Sequence, residues 1–199
     1  MDQLIALLAS VETATAGHFL AEGFMSPDLQ CVTDDVRIAG RALTVRLPRD
    51  DGSALPCAIS RARRGDILVI ERGDDDRHAC WGGVMTAAAV ARGIAGVVVD
   101  GYVTDIGDVR EAGLPVWCRG RSPLTTKLRG GGSVGQPIKC GGVLVYSGDI
   151  VLADENGVCV LSPDAVERIL RKALAFQAEE RAILERLRQG EDIAAIYGL

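Results

Sequence analysis

The chain has 199 residues, of which 48% are hydrophobic and 25% charged, and its formal net charge is −5. This composition is ordinary for a globular protein, and the length suffices for one sizeable core. No basic stripe is present, which argues against nucleic-acid binding, and no run approaches the ~18 apolar residues of a membrane span. The start Met-Asp-Gln lacks the basic region of a signal peptide, so we expect a cytoplasmic location.

The first two thirds of the chain predict alternating strands and helices with short connections. Helices are predicted at residues 3–9, around Phe19 and Leu20, and at 53–63, 84–93 and 105–113. Strands are predicted at 42–48, within 65–76, at 95–101 and at 114–120. Such alternation is typical of an α/β fold with a parallel sheet.

The last third of the chain predicts a loop, a β-meander and a long helix. Residues 129–142 are rich in glycine and predict a loop, and residues 142–162 predict short antiparallel strands. Ser162 is a favoured N-cap and Pro163 a favoured first helical residue, and an apolar helical face continues to Gly190. We expect this long helix to project and to pack on a neighbouring subunit.

Six cysteines and two histidines limit the metal sites that one chain can build. No cysteine belongs to a C-x-x-C pair and most have apolar neighbours, so we expect buried hydrophobic residues rather than zinc ligands or disulfides. His18 and His78 are the only histidines, which excludes a polyhistidine metal site within one chain.

Candidate functional residues follow two of the predicted strands. Asp74–Asp76, Arg77 and His78 come after one strand, and Thr104 and Asp105 come after the next. Ligands of open α/β sheets gather beyond the carboxyl ends of the strands, so these residues are candidates for a binding site. The three aspartates are most simply interpreted as a solvated loop, and Arg77 and His78 could alternatively be surface residues.

Gly82 and Gly83 open the predicted helix between these two strand ends. A helix N-terminus presents free N–H groups and suits a carboxylate or phosphate, and glycine allows a ligand to approach closely. A plain helix start, with glycines for tight packing, is the alternative. Asp105 likewise has two interpretations, as the N-cap of its own helix or as a ligand of Mg²⁺ or Mn²⁺.

The run "GDILVIERGDDDRHACWGGVMTAAAVARGIAGVVVDGYVTD", with "LPVWCRG" and "GGVLVYSGDIVLADENGVCVLS", resembles the RraA-like family. That family includes hydroxy-methyl-oxoglutarate aldolases and oxaloacetate decarboxylases. The resemblance implies one RraA-like domain over residues 1–199, an α/β swivelling β/β/α sandwich with a long C-terminal helix. It also implies homotrimers, sometimes paired into hexamers, with active sites between subunits.

The resemblance also implies roles for individual residues. The start of the helix at Gly82, through the amides of Gly83, Val84 and Met85, would hold a substrate carboxylate. Asp105 would hold the divalent metal, directly or through water. An acidic residue from a neighbouring chain's C-terminal helix would reach the site, and the candidates are Glu180 and, alternatively, Glu179.

Three positions depart from the pattern of the aldolases. Thr104 stands where they carry an arginine that steadies an enolate oxygen, and Gly83 stands where many carry an acid. His18 lies where the family usually has Asp-Ala. Arg77 or His78 could supply the missing donor or acid/base group.

We therefore expect a metal-dependent lyase of the aldolase or decarboxylase type. It would act on a small 2-oxo or hydroxy acid through a metal-stabilised enolate. The alternatives are an isomerase or hydratase using the same residues, and a non-enzymatic, protein-binding regulator like RraA.

Overall fold

A computed structural model describes all 199 residues. The helices are α1 (Asp2–Leu8), α2 (Thr13–Gly17), α3 (Ala54–Arg61), α4 (Gly83–Arg92), α5 (Ile106–Glu111), α6 (Val166–Arg188) and α7 (Ile193–Ile196). The strands are β1 (Gln30–Cys31), β2 (Arg37–Arg46), β3 (Ile67–Glu71), β4 (Ala79–Trp81), β5 (Gly96–Val103), β6 (Val116–Arg121), β7 (Ser133–Val134), β8 (Ile138–Cys140), β9 (Val143–Val145), β10 (Ile150–Asp154) and β11 (Gly157–Leu161).

Nine of the strands form one sheet, whose main path runs β1-β6-β5-β3-β2-β10-β11. Strands β2, β3, β5 and β6 pair in parallel, as the alternating pattern predicts. The ten-residue β2 joins two regions, because its first half pairs antiparallel with β10 and its second half pairs with β3. The central strands are buried on both faces, which explains their continuous apolar runs.

Three apolar clusters hold the layers together. The largest lies between the parallel strands and helices α3, α4 and α5, and includes Trp81 and Val99. The second lies on the opposite face of the sheet, where Trp117 packs beneath the small β8–β9 sheet. The third joins β10 and β11 to α1 and the first half of α6. The fold is therefore a mixed α/β layer structure with a long C-terminal helix, as expected.

The glycine-rich segment 129–142 is not simply a loop, contrary to the prediction. It contains β7, which pairs with β2, and β8, which pairs with β9. Buried Asp51 orders the start of the segment by accepting hydrogen bonds from Arg129 N and Gly131 N. The pKa of Asp51 lies far below its ordinary value. The largest cause is the hydrogen bond from the Ser53 hydroxyl, and the backbone bonds from Arg129 and Gly131 lower it further.

The predicted β-meander is correct only in part. Strands β10 and β11 form the expected hairpin, with Asp154 opposite Gly157. Strand β9 instead pairs backwards with β8, so the three strands do not form one continuous meander. The prediction was wrong here because a three-residue strand is assigned by its partner and not by its own pattern.

The ends of the chain also differ from the predicted bounds. The second N-terminal helix is Thr13–Gly17 and not the stretch around Phe19 and Leu20. Ser162 precedes a 3₁₀ turn at Pro163–Ala165, and the α-helix proper begins at Val166. The buried residues of α6 all lie between Val166 and Ala173, so its second half projects from the fold, as predicted.

Most cysteines are small buried hydrophobic residues, as expected. Cys80, Cys118, Cys140 and Cys159 are buried, whereas Cys57 is exposed, and all six are free thiols. Burial raises the pKa of Cys80 and of Cys159 to about 12, so both remain protonated at neutral pH. No helix of the fold has the length and apolar character required to cross a membrane.

Candidate functional site

Helix α4 begins with free amide groups at the carboxyl end of the parallel sheet. Gly82 is its extended N-cap, and the first turn is closed by the bond from Thr86 N to Gly82 O. Val84 and Met85 come before Thr86 in the chain, and their N–H groups have no hydrogen-bond partner within the protein, as is usual in the first turn of a helix. Gly93 ends the helix in the left-handed conformation, as predicted.

Asp105 faces this helix start from the neighbouring strand end. Its Oδ2 atom accepts a hydrogen bond from Gly83 N at 2.9 Å, and its Oδ1 atom lies 3.3 Å from the Thr104 hydroxyl. Asp105 stands at the N-cap position of α5, but its side chain makes no hydrogen bond to that helix. The own-helix capping interpretation is therefore wrong, and the carboxylate instead caps the neighbouring α4.

The backbone at Asp105 is what turns the carboxylate towards α4. Its φ angle of 51° lies in the left-handed region, which costs a residue other than glycine about 1–3 kcal/mol. The preceding residue is fixed by the bond from Thr104 N to Trp81 O, and the following helix by Val109 N to Asp105 O. Such strain is retained where the surroundings enforce it, which is common at functional sites.

A small cavity of about 140 Å³ lies between these groups. It is lined by Gly82, Val84, Met85, Thr104 and Asp105, all predicted from the sequence. The Gly83 amide is already bonded to Asp105, so the amides left for a ligand are those of Val84 and Met85.

Two threonines of the cavity were missed by the sequence analysis. Thr125 and Thr126 line it because their segment pairs with β4, through bonds from Ala79 N to Leu124 O and from Thr126 N to Ala79 O. No local pattern marks these residues, since their position depends on a contact between segments more than 40 residues apart in sequence. A sequence signal for them is absent.

Arg77 and His78 do not line this cavity. Asp75 instead organises their loop: its Oδ1 atom accepts bonds from Arg77 N at 2.9 Å and His78 N at 3.1 Å. The ring nitrogen Nδ1 of His78 lies 3.0 Å from Asp75 Oδ2. Asp75 is therefore not part of a solvated acidic loop; its side chain is 7% exposed.

Arg72 is the buried partner of Asp75. Its side chain is 1% exposed, and its Nη2 atom donates to Asp75 Oδ2 at 2.5 Å and to Arg49 O at 2.8 Å. The Nε and Nη1 atoms of Arg72 are buried and have no hydrogen-bond partner. Burial opposes the charged form of Asp75, but hydrogen bonds from Arg77 and His78, together with the charge of Arg72, hold its pKa below the ordinary value.

His18 and Glu180 lie together, but away from the cavity beside Asp105. His18 Nε2 is 3.5 Å from Glu180 Oε1, and the imidazole stacks on Phe176 with ring centroids 5.7 Å apart. The pair joins the end of α2 to the projecting half of α6 within one chain. The predicted contribution of Glu180 to a neighbouring subunit is not tested by a single chain and stays a prediction.

The donor atoms beside α4 suit a hard divalent cation. Asp105 is exposed and supplies carboxylate oxygen, and Thr104 supplies a hydroxyl. Mg²⁺ and Mn²⁺ prefer oxygen ligands and often take only one or two protein carboxylates, with water completing the shell.

Known proteins resemble this chain over most of its length. The family model described as "RraA-like: Aldolase/RraA" matches residues 12–160. A protein of Halalkalibacterium halodurans, provisionally named 4-hydroxy-4-methyl-2-oxoglutarate aldolase, is 33% identical over 158 residues, which cover 79% of this chain and 75% of that protein.

Solved structures agree in fold. An uncharacterized protein of Pseudomonas syringae superposes with a TM-score of 0.85 at 26% identity, covering 96% of this chain and 91% of that one. The RNA-processing inhibitor RraA of Thermus thermophilus gives a TM-score of 0.68 at 29% identity, covering 75% of this chain and 91% of its own. From the sequence match and the shared fold together, we conclude that the chain belongs to the RraA-like family.

Proposed function

We propose that this chain is a divalent-metal-dependent lyase that cleaves or decarboxylates a small 2-oxo or hydroxy carboxylic acid. The observation that carries the proposal is the Asp105 carboxylate, held 2.9 Å from Gly83 N beside the free amides of Val84 and Met85. An anion-binding helix start and a cation-binding carboxylate thus share one small cavity. The provisional aldolase name of the H. halodurans relative agrees with this chemistry.

Four residues of the cavity have a definite task in this proposal. The amides of Val84 and Met85 bind the substrate carboxylate, aided by the positive end of the α4 dipole. Asp105, with the Thr104 hydroxyl beside it, holds Mg²⁺ or Mn²⁺. The cation supplies Lewis-acid polarisation of the 2-oxo group. The Gly83 amide can bind substrate only if its hydrogen bond to Asp105 is broken first.

The absence of an arginine at position 104 sets the expected rate. A threonine hydroxyl carries no charge, so it cannot stabilise developing negative charge as a guanidinium does. Removing one preorganised donor of this kind typically lowers kcat by about 10²–10³-fold. We therefore expect slow turnover unless another cation, such as Arg77, reaches the substrate when subunits assemble.

The proposal is tested by a direct assay of the purified chain. Oxaloacetate and 4-hydroxy-4-methyl-2-oxoglutarate are each incubated with Mg²⁺, with Mn²⁺, or with a chelator, and pyruvate formation is followed over time. We expect slow, metal-dependent pyruvate release from at least one of them. Pyruvate release that does not depend on the metal, or none above the rate without protein, would contradict the proposal.

An isomerase or hydratase is the second candidate, favoured by the uncharged Thr104 at the place of a charged donor. The same amides and carboxylate could orient an acid for proton transfer without breaking a carbon–carbon bond. Product analysis by NMR separates the two, since only a lyase yields two smaller molecules. A non-enzymatic regulator that acts by binding another protein is a third candidate, since the T. thermophilus RraA is named an RNA-processing inhibitor, and a pull-down with an endoribonuclease is the test.

We also propose that the chain forms a homotrimer or a pair of trimers, as its family does. The projecting half of α6 supports this, because Leu174 and Leu184 are 41% and 49% exposed in the single chain. Packing of α6 on a neighbouring copy would cover these side chains. The family resemblance implies that an acidic residue of this helix reaches the neighbour's cavity, so Glu180, with His18 3.5 Å from it, is the candidate acid/base group there.

A further inference from the structure

Asp108 occupies the space that a side chain at position 83 would fill. A Cβ atom built on Gly83 would lie 2.6 Å from Asp108 Oδ2 and 3.3 Å from Asp108 Cβ. Gly83 does not have a left-handed φ angle, so its backbone would accept any residue. Glycine at this position is therefore explained by the neighbouring carboxylate and not by the conformation of the chain.

Gly82 is placed against Asp105 in the same way as Gly83 is placed against Asp108. A Cβ atom built on Gly82 would lie 2.5 Å from Asp105 Oδ2, and the φ angle of Gly82 is an ordinary −159°. Asp105 and Asp108 thus come from one turn at the start of α5 and face two successive glycines at the start of α4. The two missing side chains open the space in which both carboxylates sit.

Asp108, unlike Asp105, has no partner of its own. Its side chain is exposed and takes part in no hydrogen bond or ion pair within the chain. Asp105 Oδ2 lies 2.9 Å from Gly83 N, and Asp108 Oδ2 would lie 2.6 Å from a Cβ atom on the same residue, so both carboxylates approach one glycine. A divalent cation bound beside this glycine would interact favourably with both negative charges. The unpaired carboxylate of Asp108 is therefore placed to interact with the same cation as Asp105.

We propose that Asp108 is the second carboxylate of the proposed site, holding the divalent cation together with Asp105. This inference rests on the proposed function and adds a residue to it. Because the Asp108 side chain in its present conformation occupies the space of a side chain at position 83, an acidic group can reach this space from α5 or, with Asp108 turned away or removed, from α4. In this chain it is supplied from α5.

A merely structural role for Asp108 makes a different prediction. An aspartate in the first turn of a helix interacts favourably with the helix dipole, which stabilises the fold but does not bind a cation. Cation affinity is therefore the quantity that distinguishes the two roles. Moving the carboxylate from position 108 to position 83 provides the sharper test. The negative charge then stays near the cation but no longer lies in the first turn of α5.

The experiment measures Mn²⁺ binding to the full chain by electron paramagnetic resonance, with no substrate present. Four variants are compared: Asp108→Asn, Asp105→Asn, the double variant Gly83→Asp with Asp108→Ala, and Glu111→Gln. Glu111 is an exposed carboxylate on the same helix α5 and serves as the control for a lost surface charge.

We expect Asp108→Asn to weaken Mn²⁺ binding by about 10–100-fold, the range typical of residues that support a metal site. The double variant should regain most of this affinity, and Glu111→Gln should bind as the wild type does. Unchanged affinity in Asp108→Asn, with binding lost in Asp105→Asn, would overturn this inference and leave the proposed function standing. Wild-type affinity in Asp105→Asn as well would overturn both.

Discussion

Replacing Asp105 with asparagine is expected to abolish the metal-dependent turnover of small 2-oxo acids. Asparagine keeps a side-chain oxygen that can accept the bond from Gly83 N, so the start of α4 stays capped and the fold is preserved. What is lost is the negative charge that holds the cation. Lewis-acid activation contributes several kcal/mol, and each 1.36 kcal/mol is about tenfold in rate, so we expect a loss of at least about 100-fold.

The measurement is the steady-state rate of pyruvate formation at saturating Mn²⁺, with thermal unfolding recorded for the same samples. Equal unfolding temperatures for wild type and Asp105→Asn would show that the loss is chemical. Glu111→Gln is the matched control and should keep the wild-type rate. A rate for Asp105→Asn within about twofold of wild type would remove Asp105 from the site.

The second large effect concerns stability: Asp75→Ala is expected to lower the free energy of unfolding by about 3–5 kcal/mol. Arg72 is 1% exposed, and Asp75 is the only carboxylate that pairs with it. Removing Asp75 leaves a buried guanidinium with the Arg49 carbonyl as its single partner. The loop that presents Arg77 and His78 would also lose the hydrogen bonds that fix it.

Urea denaturation at fixed protein concentration measures this effect, because the stability of an oligomer depends on concentration. Asp74→Ala is the control: Asp74 is an exposed neighbour in the same loop, and its removal should change stability by less than about 0.5 kcal/mol. Equal losses in the two variants would mean that the buried pair does not hold this loop.

The lowered pKa of Asp75 also makes the contribution of this buried pair to stability depend on pH. Because the folded pKa lies below the unfolded one, the pair stabilises the protein fully above the unfolded value, about 3.9 for aspartate. As the pH falls from there through the lower folded pKa, the contribution disappears. The stability difference between wild type and Asp75→Asn should therefore shrink as the pH is lowered below about 4.

Much of the fold could be predicted from local patterns. Buried parallel strands give continuous apolar runs, and helices give a repeat near 3.6 residues, so β3, β5, α4 and α6 were recognisable. Short strands carry too few residues for a pattern. Strands β4, β7 and β8 exist because a partner segment lies beside them, and β7 and β8 were mistaken for loop.

The candidate site was predicted in the same uneven way. The double glycine, Thr104 and Asp105 stood out because they follow strand ends and open helices, where local sequence determines the geometry. Asp75 was assigned to a solvated loop, because nothing local indicates that Arg72 is buried beneath it. Thr125 and Thr126 enter the cavity through long-range pairing, which no single segment encodes.

The sequence by itself determined the alternation of strands and helices, the family and the residue types at the two strand ends. Only the tertiary structure decided the target of each carboxylate: Asp105 binds the start of α4 and not its own helix, and Asp108 fills the space left by Gly83. The physical reason is the distance along the chain over which each interaction acts. Backbone preference and apolar periodicity act between near neighbours, whereas the approach of α5 to α4 depends on how the whole sheet packs.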